Sequence, residues 1–174
     1  NSLRIAGGDV HLDGAIAGAE VVPATDPPTT RRVDLSIAAS GETRLGSSAD
    51  LRSLSISSTG DSVVLGGDVD ANSSIAIAFE GAGTGTVSNA GSDVTLRTNR
   101  VELAASDSSQ TDGRTAQIAL GEGVNLDLDA ITGTAPAPAT LVLDQDGAID
   151  SAAVSRLADA ASGVTDLSLQ LRSN

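Results

Sequence analysis

The chain has 174 residues, a size that suits one domain or one segment of a longer array. Apolar residues make up 40 % but aromatics only 1 %, the single Phe79, so the core must be filled by Val, Leu, Ile and Ala and must be narrow. Cys, Met, Trp, Tyr and Lys are absent and the formal net charge is −13, which excludes thiol chemistry and disfavours phosphate backbones and anionic membranes as partners.

No apolar run approaches the roughly 18 residues that span a bilayer, so membrane insertion is not expected. A chain that opens at Asn1 and contains no methionine reads as a processed product or a piece of a larger protein. Near the start, "GGDVHLDG" alternates, with His11 as the polar residue between Val10 and Leu12. His11 is the only histidine and so the only possible base for a Ser-His-Asp triad, but the alternation points it outward from a strand. "VVPATDPPTTRR", Val21 to Arg32, follows; its prolines oppose a central strand and predict a surface loop insertion over 21–32.

From here apolar pairs two residues apart recur: Leu35/Ile37, Leu54/Ile56, Ile75/Ile77, Val94/Leu96, Ile118/Leu120, Leu141/Leu143 and Leu167/Leu169. The steps are 19, 21, 19, 24, 23 and 26 residues, a length that can wind one coil of a parallel β-helix. The residues before each pair, Asp34, Ser53, Ser74, Asp93, Gln117, Thr140 and Asp166, are all polar. Those between, Ser36, Ser55, Ala76, Thr95, Ala119, Val142 and Ser168, are mostly small, which predicts a flat, lightly polar outer face.

A second set of anchors lies about half a coil later: Leu45, Val63 with Leu65, Val87, Val101 with Leu103, and Val124 with Leu126. Gly66-Gly67, the stretch Ser88 to Asp93, and Asp112-Gly113 supply turn residues between the two sheets. "TGTAPAPAT" predicts a second loop insertion over 132–140. "DSAAVSRLADAASG", 150–163, predicts a helix over 151–162 that interrupts the sixth coil and packs on the flank of the stack. Its apolar face is Val154, Leu157, Ala158 and Ala161, with Asp150 or Ser151 as cap and Gly163 as stop. The fold class expected is all-β, a single-stranded parallel, right-handed β-helix of about seven coils occupying 1–174; an antiparallel β-sandwich is the alternative.

Chemistry-bearing side chains are few. "GAGTGTVSNAG" has glycines at 81, 83 and 85 rather than in dinucleotide-binding spacing, and reads as a glycine-rich turn followed by a strand. Aspartates are densest at Asp127 and Asp129 and at Asp144, Asp146 and Asp150, with Asp127 and Asp150 level when counted from the anchors. Coils ~4.8 Å apart could bring such carboxylates to the roughly 5 Å used by retaining glycosidases, yet no aromatic platform for a sugar accompanies them. Asp144-x-Asp146-Gly147 resembles part of an EF-hand loop without its third chelating pair or Glu. "GGDVD", 66–70, resembles the start of an RTX nonapeptide without its fourth-position glycine. Solvated turn aspartates are the expectation, with no catalytic, cofactor or metal residue assigned and calcium the one cofactor to test.

The run Leu51 to Ala105 resembles the degenerate coils of filamentous-haemagglutinin-type adhesins and other large bacterial surface exoproteins, and the stretch from Ala139 to Leu171 is similar to coils that carry a short inserted helix. The resemblance is one of repeat style over most of the chain from Val33 onward. It implies a right-handed parallel β-helix, an extracellular or cell-surface location, and a role as a stalk or adhesive fibre whose partners are flanking coils and a host or neighbouring cell. A calcium-stabilised surface-layer or RTX-like module and a β-helix polysaccharide lyase or hydrolase are the alternatives.

Overall fold

The structure is a computed structural model, and it describes residues 1–22, 29–81, 83–107, 116–128, 139–164 and 166–173. The elements in chain order are β1 (Ser2–Gly7), β2 (Val10–Leu12), β3 (Ile16–Ala17), β4 (Ala19–Val22), β5 (Thr29–Arg32), β6 (Asp34–Ala39), β7 (Thr43–Leu45), β8 (Ser48–Ser58) and β9 (Ser62–Leu65). After these come β10 (Val69–Glu80), β11 (Thr84–Asn89), β12 (Val94–Arg97), β13 (Arg100–Ser106), β14 (Gln117–Leu120), β15 (Val124–Asp127), β16 (Ala139–Gln145), α1 (Ser151–Ala160) and β17 (Leu167–Ser173). The protein is all-β, with its main sheets parallel.

The largest sheet runs β1-β6-β8-β10-β13-β16-β17. Its register places Leu3, Leu35, Leu54, Ile75, Val101, Leu141 and Leu169 in one row, and Ile5, Ile37, Ile56, Ile77, Leu103, Leu143 and Leu171 in the next. Strand alternation turns both rows inward, where the members from Leu35 to Leu143 are buried. Each such side chain contributes roughly 1.5–3 kcal/mol by leaving water. At the two ends the rows are partly open: Leu3, Leu169 and Leu171 are 50 %, 40 % and 43 % exposed.

Four of the seven expected pairs occupy these rows: Leu35/Ile37, Leu54/Ile56, Ile75/Ile77 and Leu141/Leu143. The other three are corrected. Val94/Leu96 lies in β12, which pairs with the start of β10 and with β15. Ile118/Leu120 lies in β14, an end strand of a separate five-stranded sheet, β14-β11-β9-β7-β2. In the last strand the pair in register is Leu169/Leu171, two residues beyond Leu167/Leu169. Val101/Leu103, expected among the second anchors, takes the vacated place in the main rows.

Leu45, Val63/Leu65 and Val87 do belong to the second sheet, whereas Val124/Leu126 pairs with Val94/Leu96. An apolar pair with period two looks the same on every sheet, so spacing alone could not say which sheet receives it. The long strands β8 and β10 explain the rest: their first residues pair with β3 and β12, and their last with β6 and β13. Asp50, within β8 near the register shifts of its pairing with β10, has φ 57°, a left-handed conformation that a non-glycine residue adopts at a cost.

The antiparallel sandwich is not what forms; among the described residues the one antiparallel pair is β4–β5. That pair also corrects the loop expected over 21–32, since Val21, Val22 and residues 29–32 are strand and the prolines of this stretch lie outside the described residues. Of the loop expected over 132–140, Ala139 and Thr140 open β16 and the remainder is likewise outside; so is Asp112-Gly113. The outer row between the anchors reads Arg4, Ser36, Ser55, Ala76, Glu102, Val142 and Gln170. It is small and polar in its middle, but Val142 is fully buried rather than outward and exposed.

Phe79 is buried between Ser58 and Ala105 of the neighbouring strands. Its ring fits because position 85 in β11 is glycine: a Cβ there would stand 2.1 Å from the ring's Cγ. The stretch read as a glycine-rich turn therefore contains strand β11, with the left-handed Gly83 just before it.

Helix α1 starts at the expected Ser151 and ends at Ala160, two residues short of the expected 162. The Asp150 carboxylate accepts a hydrogen bond from the Ala153 amide at 2.8 Å, the N-cap that the sequence offered. Leu157, Ala160 and Ala161 are buried and Ala158 is exposed, so the inward face is turned from the expected one. The helix packs against β14 and β15, which end the second sheet and the β12–β15 branch.

Candidate functional site

The aspartates singled out by their density are held by separate partners. Asp127 ends β15 and lies 3.9 Å from Arg97. Asp144 lies 3.5 Å from Arg172, Asp146 accepts from the Asp107 amide at 2.9 Å, and Asp150 caps α1. Asp129 is outside the described residues. Gly147 donates its amide to Ala116, joining the segment after β16 to the start of β14. Among the described residues no three carboxylates or histidines converge as metal ligands. His11, exposed on β2 as its alternation predicts, lies 3.4 Å from Glu42.

The two aspartates of "GGDVD" have a common partner that spacing could not reveal. Arg97 Nη1 lies 2.9 Å from Asp68 and 3.3 Å from Asp70, and the Thr95 amide donates to Asp68 at 2.8 Å. Asp70, Arg97 and Asp127 are one register row across β10, β12 and β15. Burial pulls the Arg97 pKa down, but hydrogen bonds to Asp68 and Asp70, followed by their negative charges, outweigh that and leave it raised. The group is thus a permanent cation that ties three strands together.

Among the described residues, one concavity lies beside helix α1 and another beside the β4–β5 hairpin. The first, about 270 Å³, sits between α1 and β14 and is lined by Leu103, Ile118, Leu143 and Leu157 together with Gln145 and Arg156. Its polar groups serve the strand edge. Gln145, buried, accepts from the Ile118 amide at 3.3 Å and donates to Ala148 O at 2.9 Å. Arg156 donates to the Gly121 carbonyl and, at 2.8 Å, to that of Val124. These are backbone groups that a further strand would otherwise satisfy, so α1 and its side chains close that edge.

The second concavity, about 660 Å³, is lined by Asn1, Thr30, Arg31, Arg32, Arg52, Asn72 and Ser73. The sequence suggested no basic cluster, yet the fold gathers three of the ten arginines here. Arg31 and Arg32 are adjacent on β5, which was a signal; Arg52 joins them only because β8 passes beside the hairpin. No helix among the described residues is long and apolar enough to cross a membrane. Protein-family models, curated proteins and solved structures give no match to the chain.

Proposed function

We propose that the chain is a structural or adhesive stalk segment of a large secreted or cell-surface bacterial protein, built as a right-handed parallel β-helix. The observation that carries this reading is the pair of apolar rows repeated in parallel register over seven strands of one sheet, from Leu3 to Leu169 and from Ile5 to Leu171, under an outer row that is small in its middle, at Ser36, Ser55 and Ala76. A stack of this kind makes neighbour contacts only and lengthens by ~4.8 Å with each added strand, which suits a rod. The style of the repeat from Leu51 to Ala105 agrees with filamentous-haemagglutinin-type exoproteins.

In this reading α1 takes the place that two strands of the sixth coil would occupy. Flanking coils of the same larger protein would cover the exposed Leu3 at one end and Leu169 and Leu171 at the other. Binding to a host or neighbouring cell would come from many weak contacts along the fibre, because the outer row offers no aromatic anchor.

Surface plasmon resonance of the isolated 174-residue chain against host-cell glycans and matrix proteins tests the reading. Affinities no tighter than ~10 μM are expected. A saturable one-to-one interaction in the nanomolar range would show a dedicated binding module instead. Electron microscopy of the full-length protein should show a rod, and a globular particle would overturn the stalk.

A further inference from the structure

The larger of the two concavities arises where the β4–β5 hairpin stands beside β8 and β10. On a chain of net charge −13 it holds the guanidinium groups of Arg31, Arg32 and Arg52, the Asn72 amide and the hydroxyls of Thr30 and Ser73, with no carboxylate among the described lining residues.

Described carboxylates hold two of the arginines, Arg32 and Arg52, and occupy only part of the Arg52 donor set. Arg52 Nη1 lies 3.2 Å from Asp34, and its Nη2 donates to the Arg32 carbonyl at 3.1 Å. Arg32 lies 3.8 Å from Asp50, whose backbone is left-handed. A guanidinium carries five N–H donors, so Arg52 keeps donors to spare. Arg31 is exposed on β5, paired in register with Glu20.

A guanidinium fork matches the planar, two-oxygen geometry of a carboxylate, and the amide and hydroxyl groups of the lining can hydrogen-bond sugar hydroxyls. The volume falls within the range of small-ligand sites. Repulsion by the remote acidic residues is screened over about 8 Å at physiological salt, so the nearby arginines set the local field.

We propose that this cleft binds a uronate-bearing saccharide, with Arg31, Arg32 and Arg52 taking the carboxylate and Thr30, Asn72 and Ser73 taking ring hydroxyls. The site stands independently of the stalk reading, because it depends on the hairpin and its neighbouring strands and not on what lies beyond either end of the chain. Without an aromatic platform its affinity is modest, roughly 100 μM.

Calorimetric titration of the whole chain with trigalacturonate, with its methyl ester and with a sulfated neutral disaccharide tests this. Saturable binding of trigalacturonate is expected, with the ester at least about tenfold weaker because its carboxylate charge is gone. Arg31→Gln, which removes no described ion pair, should weaken binding several-fold while leaving the unfolding midpoint unchanged, and Arg31→Gln with Arg52→Gln should weaken it by at least about tenfold. Arg172→Gln, at the far end of the main sheet, should bind as the native chain does. Equal binding of acid and ester, preference for the sulfated sugar, failure to saturate by roughly 10 mM, or undiminished binding by folded Arg31→Gln would each overturn the proposal.

Discussion

Replacing Gly85 by alanine probes the tightest aromatic contact in the core. The added Cβ would stand 2.1 Å from Cγ of Phe79 and 2.3 and 2.5 Å from its Cδ atoms. Carbon atoms in contact prefer about 3.5–4.0 Å, so the ring or β11 must retreat by roughly 1.5 Å. Phe79 is buried between strands that carry Ser58 and Ala105 at the same level, and β11 is held in register by β9 and β14, so neither moves freely.

Overpacking of this kind costs about 3 kcal/mol, partly offset by about 0.4–1 kcal/mol from the less flexible unfolded chain. The net loss of about 2 kcal/mol corresponds to a fall in melting temperature of roughly 4–8 °C for a chain of this length. Phe79→Ala should cost about 3–5 kcal/mol through the cavity it leaves. In that background Gly85→Ala should be neutral or slightly stabilising, because the ring it would strike is gone. Urea unfolding followed by circular dichroism on the four proteins of this cycle gives the coupling directly. If Gly85→Ala costs the same with and without the ring, Phe79 does not pack over Gly85 and the pairing of β11 with β9 is misjudged.

Ile77→Asp should cost several kcal/mol by placing an unpaired charge between Ile56 and Leu103, while Ala76→Asp on the outer row should cost under about 1 kcal/mol; equal shifts in the urea midpoint would mean that the two faces of β10 are reversed. Thr43 is fully buried in a row otherwise formed by Val10, Val63, Val87 and Leu120, and its hydroxyl has no hydrogen-bond partner, so Thr43→Val should stabilise by about 1–2 kcal/mol; a loss of stability would reveal an unseen partner. Arg156→Gln should cost about 1–2 kcal/mol and promote self-association by freeing the Gly121 and Val124 carbonyls at the strand edge, and sedimentation that stays monomeric at high concentration would argue against an edge cap.

Features that depend on neighbours along the chain were legible in the order of the residues. Alternation fixed the strands and their inward faces at Leu35/Ile37, Leu54/Ile56 and Ile75/Ile77, because successive side chains of a strand point to opposite sides. The helix was legible from Asp150 and the spacing of Val154, Leu157 and Ala161, and the outward placement of His11 from its apolar neighbours. Aliphatic composition foretold a core of Leu, Ile and Val.

Tertiary structure decided what depends on how far the chain travels before it returns. Up to Phe79 the excursions between strands of the main sheet are nearly even after β6, and counting finds the register; beyond it they lengthen, so Val101/Leu103 displaces Val94/Leu96 in the main rows. The partners of the aspartates were hidden for the same reason, since Asp68 and Asp70 meet Arg97 across a pairing that no local pattern encodes. The arginine cleft shows this most clearly: Arg31 and Arg32 are adjacent in sequence, but only the antiparallel hairpin and the passage of β8 beside it bring Arg52 to them, and pairing of this kind is selected by burial of the whole sheet rather than by the residues that end up facing each other.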